Sequence, residues 1–328
     1  MTRKITVLTL SAILFGLYVT AEAQQEGKIF RIGFLDGGTA TGSAVHVKAF
    51  LQELSKLGWI EGKNITIEYR FGEQKLERQP ELAADLVRLK VDIIVVSGSN
   101  AAIRAAKTAT STIPVVMTTS ADPVGAGLVA SLARPGGNVT GNSSLAPELN
   151  TKRLEILKDA VPKLARVGVL RPPGSSVEIQ LKELRPSALA LKLKLEEIET
   201  QPELKGLETA FQTAKQKQVG AIMTTSGVTY FRERKKIVEL AVKYRLQAIY
   251  FLKEFVDEGG LMFYGADYDD LYRRAAVYVD KILKGAKPAD LPVQQATKFE
   301  FIINLKAAKQ IDLTIPVRVL ERANQVIR

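Results

Sequence analysis

Hydroxyl side chains gather wherever a β-branched run ends in this chain, and a hydroxyl at a strand end can hold a solute or start a helix. The run "IPVVM" leads into "TTSADPVGAGL" (118–128), where Thr119 and Ser120 emerge at a point at which a solute could lie. Asp122 is a strong N-cap, Pro123 suits the first helical position and "ARPGG" supplies a stop, so a helix is expected over 123–133 with Gly125 and Gly127 inside it. The Asp122 carboxylate is equally suited to face an ammonium. In "SGSN" (97–100), Ser97 ends a strand, and Ser99 or Asn100 caps the helix that follows, whose free amides make a carboxylate-sized anion site. The stretch "LDGGTATGS" (35–43) adds Asp36 and Ser43 in the same kind of position. Later in the chain, "TTSGVTY" (224–230) brings Ser226 and Tyr230, an aromatic equally suited to forming a wall over a solute and to packing in the core, while Glu254 and Asp267 have the charge to pair with an ammonium, although solvation at the surface is the more ordinary setting for such carboxylates. On this reading Ser120→Ala and Tyr230→Ala weaken binding more than they lower stability, and Asp122→Ala lowers stability first.

No catalytic set accompanies these groups. The chain has no G-x-S-x-G elbow, no G-x-x-x-x-G-K-[ST] phosphate loop and no G-x-G-x-x-G between strand and helix. The single histidine, His46, falls on the polar side of the first helical pattern and is expected to be solvated, with no second histidine to build a metal site. Cysteine is absent, so there is no disulfide, no thiolate metal site and no thiol for a lipid anchor. Neither an enzyme nor a bound metal or cofactor is expected. A formal charge of +11 would ordinarily raise nucleic acid as a partner, but Lys and Arg are scattered over amphipathic segments. The densest cluster, Arg232, Arg234, Lys235 and Lys236, reads as a solvated helix face, and no nucleic-acid partner is expected.

The elements that must position the hydroxyls alternate regularly. Strand patterns at 29–35, 65–71, 92–97, 113–118 and 138–141 are separated by helical patterns near 43–57, 77–90, 100–110 and 123–133. The series then restarts, with strands at 165–172, 193–199, 219–226, 246–251 and 260–265 between helical patterns near 149–161, 176–192, 203–217 and 229–244. Two α/β units in tandem predict two doubly wound parallel-sheet lobes joined by a hinge. A further helix (267–285) and strand (298–304) imply that the tail crosses back between lobes. The expected division is 24–142 plus about 266–289 for one lobe, and 143–265 plus about 290–328 for the other. Ahead of both, "MTRKITVLTLSAILFGLYVTAEA" has a basic start, an apolar stretch shorter than the roughly 20 residues that cross a bilayer, and Ala21-Glu22-Ala23 as a cleavage site, which predicts a signal peptide removed after Ala23.

The run "IPVVMTTSADPVGAGLVASLARPGGNVTG" (113–141), the opening "RIGFLDGG", "FLQELSKLGWIEGKNITIEYR" (50–70) and the ending "LPVQQATKFEFIINLKAAKQIDLTIP" (291–316) resemble the ABC-transporter substrate-binding protein family that includes tryptophan- and tyrosine-binding members. The resemblance implies a type I periplasmic-binding fold that closes on a small, amino-acid-like solute and delivers it to an ABC permease in the inner membrane. It implies that Ser97, Ser99, Asn100, Thr119 and Ser120 hold the solute from the first lobe, while Tyr230 and Glu254 close from the second. A monomer in the periplasm without a lipid anchor is expected, although many relatives are anchored through a cysteine. The alternative use of the same lobes is a ligand sensor docking on a signalling receptor.

Overall fold

The computed structural model describes residues 28–172, 176–200, 204–225 and 228–328. The expected leader and Ser226 lie outside the described residues. The first unit runs β1 (Phe30–Asp36), α1 (Ala40–Lys56), β2 (Ile65–Phe71), α2 (Gln79–Arg88), β3 (Ile93–Ser97), α3 (Asn100–Ala109), β4 (Val115–Ser120) and β5 (Val139–Ser143). The second runs α4 (Ala146–Ala160), β6 (Arg166–Arg171), α5 (Ser176–Ala190), β7 (Lys194–Glu199), α6 (Leu204–Gln216), β8 (Ala221–Thr224), α7 (Val228–Arg232), α8 (Arg234–Lys243), β9 (Gln247–Tyr250), α9 (Glu254–Asp257) and β10 (Met262–Ala266). The tail adds α10 (Tyr268–Leu283), β11 (Gln294–Gln295), β12 (Phe299–Asn304), α11 (Leu305–Gln310), α12 (Val317–Leu320) and β13 (Gln325–Ile327).

Two sheets result, ordered β11-β5-β4-β3-β1-β2 and β13-β12-β10-β9-β8-β6-β7. The first is parallel throughout. The second is parallel except where β10 meets β12. Because side chains alternate between two faces and helices cover both, β3 is apolar on successive residues from Ile93 to Val96. In β3, Ile93 and Val95 pack under Phe50 of α1 and Val279 of α10. Ile94 and Val96, pointing the other way, pack under Leu86 of α2 and Ile103 of α3. The second lobe repeats the device, with Val167 and Val169 facing Leu154 and Leu184, and Leu170 and Ile222 facing Phe211 and Ile237.

The segment after β4 differs from the expected helix. Asp122 does cap, accepting from Gly125 N at 2.8 Å, and Ala126 N reaches Asp122 O at 3.0 Å, but the helix ends after that single turn. Gly127 takes φ 66°, its N–H returns to Val124 O, and Leu128 N returns to Pro123 O, a Schellman closure that stops the chain. Gly127 is therefore the stop and not a helix residue. Ala126, Leu128 and Val129 still cover the sheet face that a longer helix would have covered. The helical stretch expected over 229–244 is likewise interrupted, at Glu233.

The chain crosses between lobes between Ser143 and Ala146, between Ala266 and Tyr268, and between Gln295 and Phe299. The last crossing falls later than the expected position near 290, because Gln294 and Gln295 pair with Asn142 and Ser143 in the first sheet. Helix α10 starts at the second crossing, capped by Asp267, and lies beside α1 on the first lobe.

Candidate functional site

In each sheet the strand order reverses between the first strand and the third, and in open α/β sheets the carboxyl ends at such a reversal form the ligand crevice. In the first lobe that point lies between β1 and β3, where Asp36 is the register partner of Ser97. Gly98 follows at φ 102°, and a Cβ there would stand 2.9 Å from Gly37 N, so only glycine lets the two loops meet. Asp36 is 1% exposed; its Oδ1 accepts from Gly38 N at 2.6 Å, and Oδ2 has no protein partner. Burial raises its pKa above the ordinary aspartate value, against hydrogen bonds from Gly38, Ser43 and Ser97 that favour the carboxylate. Ser97 Oγ shares a short hydrogen bond with the hydroxyl of Tyr272 on α10, a tyrosine that burial keeps protonated.

The Asp36 shift makes a testable statement. A carboxyl whose pKa is raised on folding weakens the fold as pH climbs from its unfolded value toward its folded one. Asp36→Asn is therefore expected to raise the melting temperature of the ligand-free protein at pH 7, an advantage that disappears in acid below about pH 4. A thermal melt series across pH checks it, and equal melting temperatures at pH 7 would refute the burial argument.

Beside this point, Ser99 caps α3, accepting from Ala102 N at 3.2 Å, so the cap is Ser99 rather than Asn100. Asn100 instead binds across to β4: its Oδ1 accepts from Ser120 Oγ at 2.8 Å and from Ala121 N at 3.3 Å. The structure thus brings Ser99, Asn100 and Ser120 together, with Thr119 beside them, 8% exposed and with its hydroxyl unpaired. Ser43 is buried near Asp36, within 3.3 Å of where a Cβ on Gly38 would stand.

In the second lobe the reversal lies between β6 and β8, ending in Arg171 and in buried Thr224 and Thr225. Arg171 pairs with Glu199 at 3.0 Å and Glu197 at 3.4 Å. Of the two settings open to it, Tyr230 takes the core: at 1% exposure its ring belongs with Leu170, Phe211 and Ile237, and its hydroxyl is left without a partner. Burial lifts its pKa well above the ordinary tyrosine value.

His46 differs most from its expected solvated setting. Its side chain is 15% exposed, with Nδ1 at 2.7 Å from Asp269 Oδ1 and Nε2 at 3.5 Å from Glu254 Oε1 of the second lobe. Burial pulls its pKa down, but the two carboxylates outweigh burial and hold it above the ordinary histidine value. A pocket of about 280 Å³ opens there, lined by His46, Lys253, Glu254, Asp267, Asp269 and Glu300 over Phe263 and Ile302. It lies behind the ends of β9 and β10 of the second sheet, and Asp36, Ser97 and Ser120 do not line it. Among the described residues no helix is long and apolar enough to cross a membrane.

Sequence reasoning missed Arg171, Asp269 and Arg153. Arg153, on α4 behind the hinge, is 2% exposed; its Nε donates to Tyr264 O and its Nη1 to Asn150 Oδ1, both at 2.6 Å. Burial draws its pKa down to about 10. A strand-end position was the available signal for Arg171, whereas nothing in the spacing of α4 marks Arg153 as interior.

Two similarly wound lobes, crossed three times by the chain and facing each other with polar strand ends, define the type I periplasmic-binding fold. The family model described as ABC transporter substrate binding protein matches residues 41–327, and the chain belongs to that family. It is 30% identical over 274 residues to a tyrosine-binding protein of Clostridioides difficile (strain R20291), covering 81% of this chain and 76% of that one. A domain from Streptococcus pneumonia, solved in complex with L-Trp, superposes with a TM-score of 0.83 at 27% identity, covering 91% of this chain and 99% of that one. A conserved domain protein from Vibrio cholerae gives 0.84 at 29% identity, covering 91% and 100%.

Proposed function

We propose that this chain is the solute-capturing component of an ABC importer, which binds an amino acid between its lobes and presents it to a permease from the periplasm. The observation that carries the reading is where unpaired buried polar atoms collect. Asp36 Oδ2, Thr119 Oγ1 and both amide atoms of Gln79 lie at the carboxyl edge of the first sheet, and Thr224 Oγ1, the Tyr230 hydroxyl and Glu254 Oε2 at that of the second. Each such group costs about 1–3 kcal/mol when left dry, and a zwitterion held between the lobes supplies both donors and acceptors to them. The tyrosine-binding relative and the L-Trp-bound structure favour an aromatic amino acid. Ser99, Asn100, Thr119 and Ser120 then hold it from the first lobe, and Glu254 faces its ammonium from the second. The lobes close as solute shifts the population toward the closed form.

Titration calorimetry with L-tyrosine, L-tryptophan and the other common amino acids tests this. At least one is expected to bind with Kd near or below about 1 μM, and at a hundredfold excess over Kd to stabilise the fold by about 2.7 kcal/mol. Failure of every small solute to shift the melting temperature would sink the reading.

A further inference from the structure

Resting on that reading, we propose that His46 is a proton-operated latch between the lobes, which tightens closure, and with it solute binding, as pH falls. Asp269 belongs to α10, which packs beside α1 on the first lobe, so the His46–Asp269 contact persists whether the lobes are open or shut. That contact sets the ring. With Nδ1–H donated to Asp269 at 2.7 Å, a neutral imidazole turns the bare lone pair of Nε2 toward Glu254 Oε1, 3.5 Å away on the second lobe. Lone pair against carboxylate is repulsive. One proton on Nε2 converts the same approach into a charge-assisted hydrogen bond, and it is made only when the lobes are shut.

The surroundings support this sign. The rings of Tyr268 and Tyr272 lie 5.8 and 5.2 Å from the imidazole, and both tyrosines are held neutral by burial. A charge on His46 in turn favours the ionised form of Asp36, while Asp267 and Glu300 line the adjoining pocket. The cations near by are occupied: Arg273 approaches Asp269 at 4.0 Å and Lys253 pairs with Asp257 at 3.1 Å. Carboxylates thus outnumber free cations around the ring, and the raised pKa of His46 agrees with the geometry.

The absence of cysteine allows a direct test that does not require a known solute. Cysteines introduced at exposed Ser55 on α1 and Lys235 on α8 carry a dye pair that reports lobe separation from pH 5.5 to 8.5, in ligand-free protein and with L-tryptophan or L-tyrosine. In the unsubstituted background the closed fraction, and the affinity for whichever probe binds, are expected to fall about fivefold as pH rises through the imidazole titration. His46→Gln flattens the profile. Glu254→Gln flattens or inverts it, because the amide N–H of glutamine donates to a neutral Nε2. A profile that matches that of His46→Gln overturns the latch, as does a slope that survives Glu254→Gln. If neither amino acid binds, the solute assignment fails while lobe separation in the free protein still decides the latch.

Discussion

Tyr230→Ala is expected to lower the stability of the ligand-free protein by about 3–5 kcal/mol, whereas Tyr230→Phe leaves it unchanged or raises it by up to about 1 kcal/mol. The ring is 1% exposed and belongs to the core cluster that holds Leu170, Phe211 and Ile237, so truncation opens a cavity in the second core. The hydroxyl makes no hydrogen bond within the protein, so its removal spares a desolvation cost and breaks nothing. Urea unfolding of the two variants side by side gives the comparison. The order anticipated from sequence, binding lost before stability, is reversed for Tyr230→Ala. A small stability loss for Tyr230→Ala would return the ring to the cleft.

Arg153→Met is expected to cost about 2–4 kcal/mol, with no matching loss of solute affinity once the variant is folded. Methionine fills part of the volume but leaves Tyr264 O and Asn150 Oδ1 without the donors that reach them at 2.6 Å. Among the described residues no carboxylate pairs with this guanidinium, so its desolvation is offset by those neutral acceptors and nothing stronger. The cost of burying it shows in a pKa drawn down to about 10. Chemical unfolding measures the loss. A change below about 0.5 kcal/mol would mean that desolvation cancels both bonds.

The strand ends were legible because β-branched runs and the hydroxyls behind them obey local rules, and a parallel sheet places those ends on one edge whatever the tertiary detail. A cap at Ser99 or Asn100 and the tandem lobes followed from the same patterns, and the structure chose Ser99. The stretch behind Asp122 misled because capping signals start a helix without fixing its length, and Gly127, counted as an interior residue, supplies the left-handed stop. His46 was misjudged for a different reason. Its place on the polar side of α1 was right, but its partner Asp269 lies 223 residues further along, and a polar face turned toward another lobe looks in sequence like one turned toward water. Arg153 was invisible because a long amphipathic side chain in a helix is ordinarily a surface residue.

The three crossings also constrain the order in which the protein can be built. Synthesis runs from the amino end, yet the first sheet receives its edge strand from Gln294 and Gln295, and its α10 cover from residues that follow the whole second unit. The second sheet must wait longer still, for β12 and β13. No fragment that ends before Gln295 therefore contains a finished lobe: the first half stays open while the whole second unit is made, closes its sheet as Gln294 and Gln295 emerge, and so matures ahead of the second, which waits for β13.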